Sequence, residues 1–132
     1  MKRIESRQIT LLAAKAALAK YAEGVVVMDL RRLSSVTDFF VIANATSSRQ
    51  LRAITEHIEA ELSRIGHRVW HVEGIAAAKA IGPDHADDGF SWILMDYGDL
   101  IVHLFNPPAR EFYQLERLWG DAPRISLDPN KL

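Results

Sequence analysis

Residues 92–105 read WILMDYGDLIVHLF, two apolar runs of strand length on either side of a Tyr-Gly-Asp turn. The runs Trp92–Asp96 and Leu100–Phe105 are rich in Ile, Leu and Val, as the strands of a sheet are. The connection between them is short and contains a glycine, which suits a tight turn between antiparallel strands. This stretch therefore predicts a β-hairpin.

The other strands and helices are predicted from short apolar runs and from helical periodicity. The strands are Val25–Leu30, Phe39–Ala43 and Val69–Val72, and the helices are Ile9–Tyr21, Leu51–Ile65 and about Ala109 to Leu118. The second helix has the clearest pattern, because its apolar residues recur every three or four positions and charged residues lie between them. The order αββαβββα predicts an α/β fold with a mixed sheet of about five strands flanked by helices.

The chain of 132 residues has the length of one domain, and we expect a single domain over residues 1–132. The stretch from Ile75 to Ser91 is rich in Ala, Gly and Asp and is predicted to be a loop. The tail from about Asp121, which contains Pro123 and Pro129, is predicted to be extended.

The composition excludes several classes of function. With no cysteine, the chain has no disulfide framework, thiolate zinc site, iron–sulfur cluster or cysteine nucleophile. A net charge of −1 argues against a strongly basic nucleic-acid-binding domain, and we expect no sequence-specific contact with nucleic acid. The charge is uneven, because residues 71–132 carry five basic and ten acidic side chains. No apolar run is long enough for a membrane span, so a soluble, cytoplasmic protein is expected.

Few side chains suggest chemistry. Asp96 and Asp99 flank the hairpin turn and would suit a magnesium ion in a nucleotidyl or phosphoryl transferase, but aspartates beside a turn also bind the turn's own backbone. His67 and His71 are four residues apart outside a helix, and no zinc site is expected there. We predict no metal and no cofactor, because no Walker loop, G-x-G-x-x-G or hydrolase motif is present.

Two polar features have ordinary structural explanations beside functional ones. His103, inside an apolar strand, is expected to be half-buried and bonded to a carbonyl or a turn aspartate. Residues 46–49 (TSSR) would bind an anion at a helix N-terminus. Helix capping accounts for the same residues without any ligand and is preferred.

Aromatic side chains lie at the edges of the predicted elements among charged residues, as in protein-binding patches. Trp92 and Tyr113 fit either an interface or the rim of the core, whereas Trp119 is assigned to the rim. The predicted partner-binding residues are Trp92, Tyr113, Tyr97, Asp96, Asp99 and Arg110. A homodimer through the same patch is the alternative use of these side chains.

Four segments together closely resemble the ribosomal silencing factor family, also called the Iojap family. They are residues 33–43 (LSSVTDFFVIA), 46–50 (TSSRQ), 92–103 (WILMDYGDLIVH) and 110–123 (REFYQLERLWGDAP). The resemblance runs from about residue 8 to residue 127. Residues 75–91 look like an insertion, because members of that family have a shorter connection there.

The resemblance implies a function without catalysis. Family members bind the large ribosomal subunit through its ribosomal protein fourteen, keep the small subunit from joining and so lower translation when nutrients are scarce. Their fold is similar to that of nucleotidyltransferases but lacks a working active site. The resemblance implies that Trp92 and Tyr113 lie on the partner-binding face. Asp96, Asp99 and His103 match a pattern of the family, and the resemblance does not assign each of them to folding or to partner contact.

Overall fold

The computed structural model describes residues 5–74 and 92–127, apart from the side chains of Phe112 and Tyr113. The helices are α1 (Ser6–Ala19), α2 (Ser48–Arg64), α3 (Pro107–Tyr113) and α4 (Leu115–Leu118). The strands are β1 (Glu23–Asp29), β2 (Phe39–Asn44), β3 (His71–Gly74), β4 (Trp92–Asp96), β5 (Leu100–Phe105) and β6 (Arg124–Ile125). No helix in the described ranges is long and apolar enough to cross a membrane.

The described strands form one mixed sheet in the order β3-β4-β5-β2-β1-β6. Strands β2 and β5 run parallel, and the other neighbouring pairs are antiparallel. The predicted hairpin is confirmed, because β4 pairs with β5 from Trp92 opposite Phe105 to Asp96 opposite Ile101. The predicted α/β fold with a mixed sheet is therefore confirmed, with six described strands where about five were expected.

The first face of the sheet is covered by α1 and α2. Small residues of α1, among them Ala13, Ala14 and Ala17, are fully buried, so this helix lies close to the sheet. The α2 residues Leu51, Ile54, Ile58 and Leu62 are buried in the same core, as the apolar periodicity predicted. Ile65, the last residue of that periodic set, is 38% exposed and lies just past the end of the helix.

The second face carries a smaller core, covered by α3, α4 and the segment that follows them. Its buried residues are Met28, Leu30, Phe40, Ile42, Phe105, Ala109 and Ala122, and its partly buried ones include Trp92, Ile101, Leu115 and Trp119. Consecutive residues of β5 alternate between the two cores, because side chains along a strand point to opposite faces in turn. The position of a residue along β4 or β5 thus determines which face it serves.

The C-terminal part differs from the prediction in two respects. The single helix predicted from about Ala109 to Leu118 is two short helices, since Gln114 adopts the left-handed conformation (φ 44°, ψ 51°) between them. The first begins at Pro107 and is capped by Asn106, whose side chain accepts a hydrogen bond from the Ala109 N–H at 3.1 Å.

The tail also contributes a strand that was not predicted. Residues Arg124 and Ile125 pair with β1, and two residues are too few for any periodic signal in the sequence. The predicted extended tail is described only as far as residue 127. The predicted insertion at 75–91 lies outside the described residues and stays a prediction.

Candidate partner-binding site

Trp92 and His103 form a ring pair on the second face of the sheet. The Trp92 indole Nε1–H donates a hydrogen bond to His103 Nδ1 at 3.3 Å. The two rings are nearly parallel, at 13° with centroids 6.2 Å apart. Phe105 extends the group, with its ring nearly parallel to both and 6.4 Å from that of Trp92. Strand pairing explains the arrangement, because Trp92 lies opposite Phe105 and His103 is two residues away on the same face.

His103 is the most deeply buried polar group of this site. The residue is only 6% exposed, and the Phe40 ring meets its imidazole edge-on at 4.7 Å. Burial lowers the pKa of the imidazole to about 4, so it is neutral at pH 7. A half-buried histidine bonded to a carbonyl or a turn aspartate was expected, whereas the residue is buried. That expectation was wrong about the partner, which is the indole of Trp92.

Trp119 and Tyr113, the other two aromatic residues considered for an interface, are described to different extents. Trp119 meets the Phe40 ring edge-on at 6.1 Å and packs against the second core, in agreement with its assignment to the core rim. The backbone of Tyr113 ends α3. Its side chain lies outside the described part of the chain, and its predicted contact with a partner stays a prediction.

Tyr97 lies on the opposite face from Trp92. It is 6% exposed within the first core, where its ring stacks on that of His67 at 5.6 Å and 14°. Burial, with a smaller contribution from Glu59, raises the pKa of its phenol. Trp92 and Tyr97 are five positions apart, and side chains an odd number of positions apart along a strand point to opposite faces of the sheet. The structure therefore does not join these two residues in one patch.

The turn aspartates have partners within the chain. Asp96 Oδ1 accepts a hydrogen bond from the Gly98 N–H at 2.7 Å, as expected for an aspartate beside a turn. Asp99 Oδ1 lies 3.2 Å from His67 Nε2, and its backbone carbonyl accepts from the N–H groups of Asp38 and Phe39. Among the residues that the structure describes, no three His, Asp or Glu side chains are grouped to hold a metal ion.

Arg110 connects four elements through its guanidinium. Nη1 donates to the Gly24 carbonyl at 2.6 Å and to Asn44 Oδ1 at 3.0 Å, while Nε and Nη2 bind the Glu116 carboxylate at 2.9 and 3.0 Å. Only 13% of the side chain is exposed. The guanidinium lowers the pKa of the Glu116 carboxyl. These contacts hold α3 and α4 against β1 and β2, and the predicted contact of Arg110 with a partner stays a prediction.

Comparison with known proteins identifies the relatives of this chain. A protein family described as "RsfS: Ribosomal silencing factor during starvation" matches residues 3–132. The chain belongs to the ribosomal silencing factor family. It is 34% identical over 125 residues to the ribosomal silencing factor RsfS of Bacillus subtilis strain 168, an alignment that covers 95% of this chain and 96% of that protein.

Two further relatives extend the comparison. The mouse "Mitochondrial assembly of ribosomal large subunit protein 1" is 36% identical over 83 residues, 63% of this chain and 32% of that protein. The crystal structure of a protein from Chromobacterium violaceum matches with a TM-score of 0.75 and 26% identity, over 89% of this chain and 88% of that one. Ribosomal silencing factors are regulators and not enzymes, so the family assignment favours regulation over the transferase alternative.

In this member of the ribosomal silencing factor family, the segment Thr46–Gln50 caps helix α2. Ser47 caps α2 by accepting a hydrogen bond from the Gln50 N–H at 3.1 Å. The Gln50 side chain, which sequence reasoning did not single out, accepts from Thr46 N–H at 2.7 Å and donates to the carbonyls of Lys20 and Tyr21 at 3.2 and 2.9 Å. Ser47 and Gln50 are three positions apart, which is the spacing of a capping box, so the sequence alone contained a signal for this role of Gln50.

Proposed function

We propose that this protein binds the large ribosomal subunit through its ribosomal protein fourteen and keeps the small subunit from joining, which represses translation when nutrients are limited. The family match over residues 3–132 is the observation that carries the proposal. The names of two relatives, a ribosomal silencing factor and a protein of large-subunit assembly, support both the ribosome and the large subunit as targets. The proposal assigns the protein to the cytoplasm, where its partner acts.

We propose that the protein contacts its ribosomal partner through the part of the second face that surrounds Trp92. Trp92 is half-buried, so part of its ring remains accessible while the rest is held by His103 and Phe105. Large aromatic rings fixed in a packed setting are the side chains that most often dominate binding energy at interfaces. Tyr113, at the end of α3, is proposed as the second anchor.

The charge distribution suits a basic partner. Residues 71–132 carry twice as many acidic as basic side chains, and among them Asp96 lies on the same face of β4 as Trp92. Opposite charge accelerates the encounter of two proteins, while desolvated aromatic anchors slow their dissociation. Ribosomal proteins that bind RNA phosphates are rich in Lys and Arg, so the acidic excess of this half of the chain favours such a partner.

The proposed mechanism is steric. A bound domain of 14.9 kDa at the subunit joint needs affinity and volume but no chemical step. The proposal therefore predicts inhibition that depends on occupancy of the large subunit alone and that needs neither nucleotide nor metal.

Subunit joining measured by light scattering with purified ribosomal subunits tests the proposal. We expect the protein to reduce joining when it is preincubated with large subunits, and Trp92→Ala to weaken co-sedimentation with large subunits by more than about tenfold. Trp70→Ala is the matched control, since Trp70 is 79% exposed and is not part of the proposed surface. Normal joining at excess wild-type protein would contradict the proposal.

A homodimer through the same surface is the other proposed use of the aromatic residues. The two uses would compete, because a ring buried between two copies is unavailable to the ribosome. Sedimentation velocity over a range of protein concentrations distinguishes them. The homodimer would be supported if Trp92→Ala disrupts a dimer and if dissociation of the dimer increases binding to large subunits.

A further inference from the structure

His103 is a polar side chain buried among apolar and aromatic ones. Its neighbours on the second face are apolar or aromatic, and the side chain next to it in β2 is Ile42, which is fully buried. An apolar residue would fill this place without the cost of removing a polar ring from water. The presence of an imidazole here calls for a contact that an apolar side chain does not make.

The contact with Trp92 fixes the protonation of that imidazole. Because the indole N–H is only a donor, His103 Nδ1 must accept, and the proton of the neutral ring then resides on Nε2. Nε2 is itself buried and has no hydrogen-bond partner among the described residues. Within the described part of the chain, one donor of this ring is thus unsatisfied, whereas its acceptor is bonded to Trp92.

We propose that His103 is a positioning residue, which holds the indole of Trp92 in one orientation so that its accessible part is presented to the partner already ordered. The inference rests on the proposed function of Trp92 as an anchor. It assigns to His103 no contact with the partner itself.

The physical reason is the cost of ordering a side chain on binding. A half-buried tryptophan without a fixed partner samples several rotamers, and association must then select one of them. The hydrogen bond at Nε1, made between two rings that lie nearly parallel, restricts both side-chain torsions before the partner arrives. Loss of the acceptor should therefore weaken binding by roughly three- to tenfold, the range of one ordinary hydrogen bond.

Two variants remove the hydrogen bond from opposite ends. His103→Phe keeps an aromatic ring but has no acceptor, and 3-benzothienylalanine at position 92 keeps the bicyclic ring but has no N–H. His103→Asn restores an acceptor oxygen near the place of Nδ1 without the ring. Ile42→Val is the control for a small loss of packing, because Ile42 lies opposite His103 in β2.

Two readouts are measured on full-length protein that is verified as folded by circular dichroism. The first is the affinity for purified large subunits. The second is the indole Nε1–H resonance of Trp92, with its solvent exchange rate, in nitrogen-labelled protein. We expect His103→Phe to shift this resonance, to accelerate its exchange and to weaken binding, and His103→Asn to recover part of each. Ile42→Val should leave both readouts unchanged.

The outcomes separate this inference from the proposed function. If Trp92→Ala has no effect on affinity for large subunits, the proposed anchor is wrong. If Trp92→Ala weakens binding while folded His103→Phe binds within about twofold of wild type, the positioning role is wrong and the anchor stands. Should His103→Phe fail to fold, the benzothienyl variant decides alone, and unchanged affinity with it would overturn the positioning role.

Discussion

The Arg110 guanidinium lies directly against the backbone of Gly24, with Nη1 2.6 Å from the Gly24 carbonyl oxygen. Gly24 has φ +58°, and a Cβ built on it would be 2.7 Å from the same nitrogen. The glycine therefore serves two needs at once, a left-handed backbone and room for a guanidinium that also binds Asn44 and Glu116. The donors of Arg110 bind groups of its own chain, and its predicted contact with a partner stays a prediction.

Gly24→Ala should lower the free energy of unfolding by about 2 kcal/mol, since it adds backbone strain and displaces a bonded guanidinium. Urea denaturation measures the change. Gly66→Ala is the matched control, because Gly66 also has positive φ (81°) but nothing lies within 4 Å of its added Cβ. Equal losses in the two variants would show that contact with Arg110 contributes nothing.

Gln50→Ala should destabilise the protein by about 1 to 2 kcal/mol, because one amide joins the start of α2 to the end of α1. Thermal unfolding monitored by circular dichroism gives the comparison. Arg49→Ala, at the exposed neighbouring position, should change stability by less than about 0.5 kcal/mol. A Gln50 variant as stable as the Arg49 variant would disprove the role of this side chain in joining the helices.

Stability should fall as the pH is lowered from about 6.5 to about 4, owing to His103. Its folded-state pKa of about 4 lies below the ordinary value of 6.5, so the unfolded chain takes up the proton first and is favoured across that interval. The expected loss between pH 7 and pH 5 is on the order of 2 kcal/mol.

Urea midpoints of wild type and His103→Phe at several pH values check this dependence. The variant should lose most of the slope above about pH 5. The pKa values of Asp29 and Glu116 are lowered from their ordinary values of 3.8 and 4.5. The stability that these two carboxylates contribute is lost only as the pH falls through and below those ordinary values, so it affects the pH dependence at lower pH than His103 does. Parallel curves for the two proteins would contradict the assignment to His103.

Much of this fold is predictable because its strong signals are local. The hairpin of β4 and β5 and the apolar stripe of α2 follow from periodicities that a single segment contains. The break at Gln114 and the pairing of β6 with β1 do not, since a left-handed residue other than glycine and a two-residue strand depend on tertiary contacts.

The candidate site is predictable in part for the same reason. Strand alternation alone separates Trp92 from Tyr97, and this argument was available from the sequence. The partners of Arg110 were not, because its hydrogen bond to Gly24 connects residues 86 positions apart in the chain. The pairing of Trp92 with His103 needed the register of the two strands, which depends on the type of turn that joins them and was not predicted.

Asp99→Asn distinguishes the regulatory interpretation from the magnesium-dependent transferase that Asp96 and Asp99 also suggested. Asp99 faces His67 in a pair whose side chains are 27% and 29% exposed, so the substitution should cost no more than about 1 kcal/mol of stability. Titration calorimetry with Mg-ATP should give no binding heat for either protein, because both carboxylates already have partners in the chain. Clear binding of Mg-ATP to wild type that Asp99→Asn abolishes would revive the transferase. Unchanged inhibition of subunit joining by Asp99→Asn, with no nucleotide bound, would instead assign this carboxylate to the folding of the hairpin.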